Sequence, residues 1–108
     1  MGNTARSRRG CRHAVISLPE PGASASLTLP ITDALVNEFA RYSGDVNPLH
    51  LDDEAAQALG FPKRVAHGMS YAAFVSTLIG TKLPGPGSIW VAQTFRFMHA
   101  VHPGDNLV

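Results

Sequence analysis

Residues 65–80 read VAHGMSYAAFVSTLIG, a stretch with apolar or small side chains on nearly every side of the helix that it predicts. A helix that is apolar all round is typical of a protein interior. Gly68 lies where the preceding loop enters this helix, and Gly80 lies at its end. Because one buried helix needs a sheet to cover it, the stretch predicts an α+β domain organised around a central helix over 68–79.

Segments on both sides of this helix supply the predicted sheet. Residues 23–30, ASASLTLP, alternate with Leu27 and Leu29 on one face, which predicts a short half-buried strand stopped by its closing proline. Residues 89–99 alternate as a long strand, and residues 106–108 begin another. The sequence therefore predicts strands that flank the helix in the chain.

Two shorter helices are predicted before the central one. In residues 31–44, ITDALVNEFARYSG, Thr32 can cap a helix with apolar residues at helical spacing, and Gly44 ends it. A second helix begins at the aspartates of 52–53 and closes at Gly60.

The composition excludes several classes of protein. Of the nine basic residues, four lie in the first thirteen positions, and the remaining five face eight acidic residues, a net charge of −3. That balance leaves no basic stripe for nucleic acid. The longest mostly apolar run, 69–79, is too short for a bilayer, so no membrane partner is expected. Cys11 is the single cysteine, which excludes an internal disulfide and fits a reducing, cytoplasmic location.

The chain divides into two regions by composition. Residues 1–22 are basic and then punctuated by proline and glycine, which predicts a disordered leader, with an organelle-targeting segment as the alternative. Residues 23–108 form the single predicted domain. The full chain is 44% hydrophobic and 16% charged, which suggests that some apolar surface meets a partner or a ligand.

An acid and a histidine lie close together in residues 43–50, SGDVNPLH. Pro48 restricts a loop on which Asp45 and His50 can converge with Asn47 beside them, so the pair could hold and activate a water molecule. The alternative is an ordinary polar turn with a half-buried histidine. A metal site is disfavoured, because no second histidine has helical or hairpin spacing to the first.

A second candidate site lies at the start of the central helix. The N–H groups of Gly68 and the next residue are unpaired within the helix, so with His67 they could form an oxyanion hole. Alternatively, Gly68 serves close packing and His67 is a cap. Ser76 is about 12 Å further along the axis. It could face the loop of Asp45, or it could bond back to a carbonyl of its own turn.

Other rings in the sequence have simpler interpretations. The aromatic residues of the second half are predicted to lie in the core, and Trp90 could also line an acyl channel. His99 and His102 flank a turn and are predicted to be solvated. The aromatic residues concerned are Tyr71, Phe74, Trp90, Phe95 and Phe97.

The segments FARYSGDVNPLHLDDEAAQALGF and RVAHGMSYAAFVSTLIGTKLPGPGSIWVAQTFRFMHAVHPGD together resemble the MaoC-like (R)-specific enoyl-CoA hydratases. The resemblance runs from about Leu27 to the last residue. The acid-asparagine-proline-histidine segment, the His-Gly helix start and the LPGPGS loop follow in the family's order. It implies a hot-dog fold, in which an antiparallel sheet wraps a long central helix. The family domain continues through further strands after the HPGD turn, so the resemblance implies a sheet truncated at its C-terminal side.

The resemblance also implies roles for the candidate residues. The family's catalytic dyad falls on Asp45 and His50, its supporting asparagine on Asn47, its thioester-binding amide on Gly68, and a serine near the dyad on Ser76. The implied reaction is reversible syn addition of water to a trans-2-enoyl-CoA, giving an (R)-3-hydroxyacyl-CoA. No metal or redox cofactor is implied, since coenzyme A enters only as part of the acyl-CoA substrate.

The resemblance implies a homodimer. It is compatible with a role in fatty-acid oxidation or in supplying precursors for polyester synthesis. Two alternative functions remain open at this point. One is a non-catalytic, truncated hot-dog module that acts through a partner. The other is a hot-dog acyl-CoA thioesterase, which would not need the whole set of Asp45, Asn47 and His50 together with His67 and Gly68.

Overall fold

The computed structural model describes residues 18–108. Most of the predicted leader, residues 1–17, and with it Cys11, therefore lies outside the described residues. The described chain forms two strands and four helices. In chain order these are β1 (Leu29–Pro30), α1 (Asp33–Ser43), α2 (Pro48–Leu51), α3 (Asp53–Ala58), α4 (Gly68–Thr81) and β2 (Asn106–Leu107).

Helix α1 begins and ends where its sequence predicts. The Thr32 side chain accepts a hydrogen bond of 3.0 Å from the backbone N–H of Leu35. Gly44 closes the helix with a φ of 77°, and its N–H donates to the Ala40 carbonyl at 2.9 Å. Only glycine adopts that backbone conformation at little cost. Val36 and Ala40 are buried, so the predicted apolar face is the one that packs.

The segment around Pro48 was predicted as a loop, and the structure corrects this to the one-turn helix α2. Proline cannot continue a helix that is already formed, but it suits the first position of a new one, where its missing N–H leaves nothing unpaired. The Asn47 side chain caps that turn by accepting the N–H of Leu49 at 3.2 Å. Helix α3 follows at once, capped by Asp52. His50 therefore lies on a helical turn rather than on a loop.

The sheet is much shorter than the sequence predicts. Strands β1 and β2 pair antiparallel over two residues each, with Leu29 opposite Leu107 and Pro30 opposite Asn106. Pro30 does not stop the first strand but is part of it. The long strand predicted over 89–99 is wrong for residues 18–108, because nothing there offers this segment a backbone partner and a strand needs one for its N–H and C=O groups.

The central helix α4 ends two residues beyond the predicted boundary, and it is not buried all round. Ser70 and Ala72 are buried, whereas Met69 is 57% exposed. Within the described chain, the sheet covers only part of this helix. One side of α4 borders an apolar groove of about 570 Å³. Its larger lining residues include Leu29, Tyr71, Phe74, Leu78, Phe95 and Phe97.

The core consists of small and aliphatic residues rather than the predicted aromatic ones. Phe97 is 50% exposed, and the other four rings of that prediction are only partly buried. Trp90 does not line the groove, so the structure does not support an acyl channel at that ring. Among residues 18–108, no helix has the length and apolar character needed to cross a bilayer. The buried hydrophobic residues are Ile31, Val36, Ala40, Ala56, Ala66 and Ala72.

Candidate active site

Segment 64–67 leads into the start of α4 and carries the residues that bring the site together. The N–H of Val65 donates to the Leu49 carbonyl at 3.1 Å, and the N–H of Ala66 donates to the Val101 carbonyl at 2.7 Å. These opposed hydrogen bonds hold the segment between α2 and the residues just before β2. The short helix with His50 is thereby fixed against the N-terminus of the central helix.

Asp45 and His50 converge, as their sequence spacing predicts. The His50 Nε2 lies 3.9 Å from Asp45 Oδ2, and the two side chains are 13% and 51% exposed. A direct hydrogen bond would require about 2.7–3.2 Å between these atoms. The gap is therefore too wide for a direct hydrogen bond, but a water molecule about 2 Å to the side of the line between the atoms would lie about 2.8 Å from both.

The hydrogen bond on the other side of the ring assigns the tautomer of His50. Its Nδ1 lies 2.7 Å from the carbonyl oxygen of Val65. A carbonyl oxygen can only accept, so Nδ1 carries a proton and donates it to Val65. In the neutral ring, Nε2 therefore holds a lone pair and faces Asp45. Two acceptors face each other across the gap, an arrangement that suits a water molecule donating to both.

The turn before α2 holds the carboxylate of Asp45. The N–H of Asp45 donates to the Ser43 hydroxyl at 3.1 Å, and its Oδ1 accepts the N–H of Asn47 at 3.3 Å. Asn47 therefore contributes in two ways, by its N–H to the carboxylate and by its side-chain cap to the helix that carries His50. Through these two contacts Asn47 helps to position both the carboxylate of Asp45 and the helix that carries His50.

His67 contacts both members of the pair. Its side chain is buried, at 3% exposure, and its Nε2 lies 2.9 Å from the backbone carbonyl of Asp45. Its ring stacks on that of His50, with centroids 3.8 Å apart and an interplanar angle of 28°. The Phe39 ring packs 4.8 Å from it. His67 is the N-cap residue of α4, but its side chain makes no capping hydrogen bond there.

The Nδ1 of His67 is buried and has no hydrogen-bond partner within the part of the chain that the structure describes. Since Nε2 donates to the carbonyl of Asp45, Nδ1 is the acceptor nitrogen of the neutral ring.

Asp45, His50 and His67 bring potential metal-binding atoms within 4.8 Å of one another. One nitrogen of each ring bonds to a backbone carbonyl, Nδ1 of His50 to Val65 and Nε2 of His67 to Asp45. Each neutral ring therefore keeps one nitrogen with a free lone pair, which can accept a proton or a hydrogen bond.

Gly68 is the first residue of α4 and directly follows His67, whose ring stacks on that of His50. That N–H has no acceptor among the described residues, and the positive end of the helix dipole lies there. A Cβ at Gly68 would lie 2.9–3.0 Å from the ring of Phe97. Glycine therefore admits the ring of Phe97 in close contact, as the packing interpretation predicts.

The ring of Phe97 lies edge-on to the ring of Tyr71, with 5.8 Å between their centroids. Both residues line the apolar groove beside α4. Burial raises the pKa of the Tyr71 phenol. A phenol is already uncharged at neutral pH, and the raised pKa keeps Tyr71 uncharged further into the alkaline range.

Ser76 is separated from this cluster. It lies two turns into α4 with an exposed side chain, and no hydrogen bond joins it to Asp45 or His50 in residues 18–108. His102 differs from its prediction as well, because its Nδ1 donates to the Arg64 carbonyl at 2.9 Å instead of being solvated.

Two contributors to the site were not predicted from the sequence: the carbonyl of Val65 and the ring of Phe97. The first is a backbone atom of an apolar residue, for which the sequence carries no signal. The second was interpreted as a core aromatic.

The fold and site define a small α+β domain with an acid and a histidine poised at the N-terminus of its central helix. Residues 17–108 match the family described as the MaoC like domain, and the chain belongs to that family. The match confirms the resemblance drawn from the sequence.

Two curated proteins and two solved structures show what the chain is similar to. It is 44% identical to the (R)-specific enoyl-CoA hydratase of Rhodospirillum rubrum over 80% of this chain and 60% of that protein. It is 40% identical to the 3-hydroxybutyryl-CoA dehydratase of Methylorubrum extorquens over 80% of this chain and 55% of that protein. The chain thus spans about 60% or less of the length of these two relatives.

The solved (R)-hydratase of Aeromonas caviae, described as involved in PHA biosynthesis, superposes with a TM-score of 0.77 at 41% identity. The alignment covers 82% of this chain and 67% of that one. An unliganded R-hydratase from Pseudomonas aeruginosa gives a TM-score of 0.76 at 44% identity over 82% of this chain and 57% of that one. These likenesses confirm the predicted hot-dog fold.

Proposed function

We propose that this protein is an (R)-specific enoyl-CoA hydratase, which adds water reversibly to a trans-2-enoyl-CoA and forms an (R)-3-hydroxyacyl-CoA. The observation that carries the proposal is the 3.9 Å gap between Asp45 Oδ2 and His50 Nε2, with an acceptor on each side. The curated relatives named as a hydratase and a dehydratase support the same chemistry.

In this proposal, a water molecule bridges the gap and is activated by the two acceptors. As its oxygen bonds to C3 of the enoyl group, one of its protons passes to the pair, and the C2=C3 electrons move onto the thioester oxygen as an enolate. Neither facing atom carries a proton beforehand. The proton that C2 then receives is therefore the one that water gave up, and both new bonds form on the face of the substrate that meets the pair.

The N–H of Gly68 is the proposed donor to the enolate oxygen. It is free of an acceptor in the described chain, lies at the positive end of α4 and follows His67, which stacks on His50. A donor fixed before the reaction stabilises charge that develops only in the transition state, and removing one such donor typically costs about 10²–10³ in kcat.

Asn47 and His67 are proposed to support the reacting groups through the contacts already described. For Ser76 the proposal is narrower: an exposed serine two turns along α4 can contact the substrate beyond the reacting carbons, but not the bridging water. We also propose a cytoplasmic homodimer without a metal or redox cofactor. The exposed, unpaired residues Ile89 and Val91, at 85% and 88% exposure, support a partner surface on this side of the fold.

The test is hydration of crotonyl-CoA by the purified protein, followed by loss of enoyl-thioester absorbance, with the product read by an (R)-specific coupling enzyme. Circular dichroism first shows that each sample is folded. Asp45→Asn and His50→Ala should each lower turnover by at least about a hundredfold, a typical contribution of an acid/base group. A folded protein without hydratase activity, or a variant with near-normal turnover, would contradict the proposal.

A further inference from the structure

Arg64 is a largely buried arginine next to the site that none of the proposed catalytic steps uses. Its side chain is only 12% exposed. The guanidinium donates from Nη2 and Nε to Asp33 Oδ1, at 2.6 and 3.2 Å, and from Nη1 to Asn37 Oδ1 at 2.8 Å. The Nη2 group also lies 3.3 Å from the Asp33 carbonyl. Four hydrogen bonds thus join this one side chain to the first turns of α1.

The backbone of Arg64 is held as firmly as its side chain. Its N–H donates to Asp53 Oδ1 at 2.9 Å, and its carbonyl accepts from His102 Nδ1 at 2.9 Å. Arg64 therefore ties segment 64–67 to α1, to α3 and to the turn before β2. A planar guanidinium that bonds through several nitrogens at once fixes direction as well as distance, which a lysine cannot do.

The next carbonyl along the segment is the one that accepts the Nδ1–H of His50, at 2.7 Å. A shift of about 1 Å would take this contact outside hydrogen-bond range. Without that acceptor, the His50 ring loses the contact that keeps its proton on Nδ1. We propose that Arg64 is a positioning residue, which fixes the tautomer of His50 through the carbonyl of Val65. The kinetic consequence rests on the proposed hydratase function, but the tautomer does not.

The experiment compares the wild type with two variants. Arg64→Gln removes both the charge and the planar guanidinium with its several donors, whereas Arg64→Lys keeps the charge but not the guanidinium. Arg41→Gln is the matched control, because Arg41 also pairs with an acid on α1, Glu38, but both side chains are exposed. The primary readout is the ¹⁵N NMR signature of the His50 ring, identified by its loss in His50→Gln. It distinguishes protonation at Nδ1 from protonation at Nε2.

We expect the wild type and Arg41→Gln to show the Nδ1–H tautomer alone, and both Arg64 variants to show a mixture. Turnover of the Arg64 variants should fall by about tenfold to a hundredfold, the order that a displacement of about 1 Å can cost. KM should change by less than about twofold, since a positioning fault acts on the reacting step. A role limited to stability would lower the melting temperature while leaving the tautomer unmixed.

Asn37→Ala removes only the Nη1 contact and keeps the ion pair, so it provides a milder variant if Arg64→Gln does not fold. It should shift the tautomer signal in the same direction by a smaller amount. An Nδ1–H signal that stays single in every folded variant of Arg64 and Asn37 would overturn the inference, whether or not the protein proves to be a hydratase. If the wild type has no hydratase activity but the Arg64 variants show the tautomer shift, the proposed function is overturned and the inference about Arg64 stands.

Discussion

Lengthening the carboxylate of Asp45 by one methylene tests the proposed water site directly. The structure places Asp45 Oδ2 and His50 Nε2 3.9 Å apart. Asp45→Glu extends the side chain by about 1.5 Å, the length of one carbon–carbon bond. Subtracting this length leaves about 2.4 Å between the carboxylate and Nε2, less than even a direct hydrogen bond requires, about 2.7–3.2 Å, so the longer side chain fills the gap or must turn aside. The acid and its charge remain, but the space for a bridging water is lost.

We therefore expect Asp45→Glu to lower kcat/KM by at least about a hundredfold, as much as Asp45→Asn does. Crotonyl-CoA hydration measures the rate, and urea denaturation shows that folding is retained. Asp52→Glu is the control, since it makes the same change at the cap of α3, outside the site. Full activity in Asp45→Glu with none in Asp45→Asn would refute the reasoning, because any nearby carboxylate would then suffice and the gap would have no function.

Two further predictions concern the start of the central helix. His67→Gln keeps a donor for the Asp45 carbonyl but loses the stacking on His50, whereas His67→Phe keeps the stacked ring and loses the donor. Each variant should lower kcat by about tenfold or more, because it misplaces one of the two partners. If steady-state kinetics show both variants unchanged, His67 has no supporting role. Gly68→Ala places a methyl 2.9–3.0 Å from the Phe97 ring and should cost about 1–3 kcal/mol of unfolding free energy by overpacking. In urea denaturation, adding Gly68→Ala to a Phe97→Ala variant should cost no such unfolding free energy, because the ring that the methyl would crowd is absent. If Gly68→Ala costs as much in that background as in the wild type, the Phe97 ring is not the cause of the loss.

The sequence determined two of the three helices before the central one to within two residues. Thr32 and Gly44 bound α1, and the aspartates of 52–53 begin α3, as predicted. These features depend on capping and glycine geometry, which involve residues only a few positions apart. The short helix α2 was missed because proline, which cannot continue a helix, also suits the start of a new one.

The sheet was predicted less well because strand formation depends on distant partners. Residues 89–99 alternate as a strand should, but alternation describes which side chains could face a core and supplies no neighbour for the backbone. The same reason explains the overstated burial of α4, whose apolar surface is covered only where other segments reach it.

For the candidate site, the sequence by itself determined which groups are available: the acid and the histidine five positions apart, and the glycine that opens the central helix. Only the tertiary structure decided how they are used. It set the 3.9 Å gap, assigned the proton of His50 by the Val65 carbonyl, and placed His67 against both partners. The physical reason is that these are contacts between segments remote in sequence, and a backbone carbonyl has the same chemistry in every residue. Its position alone makes it part of a site.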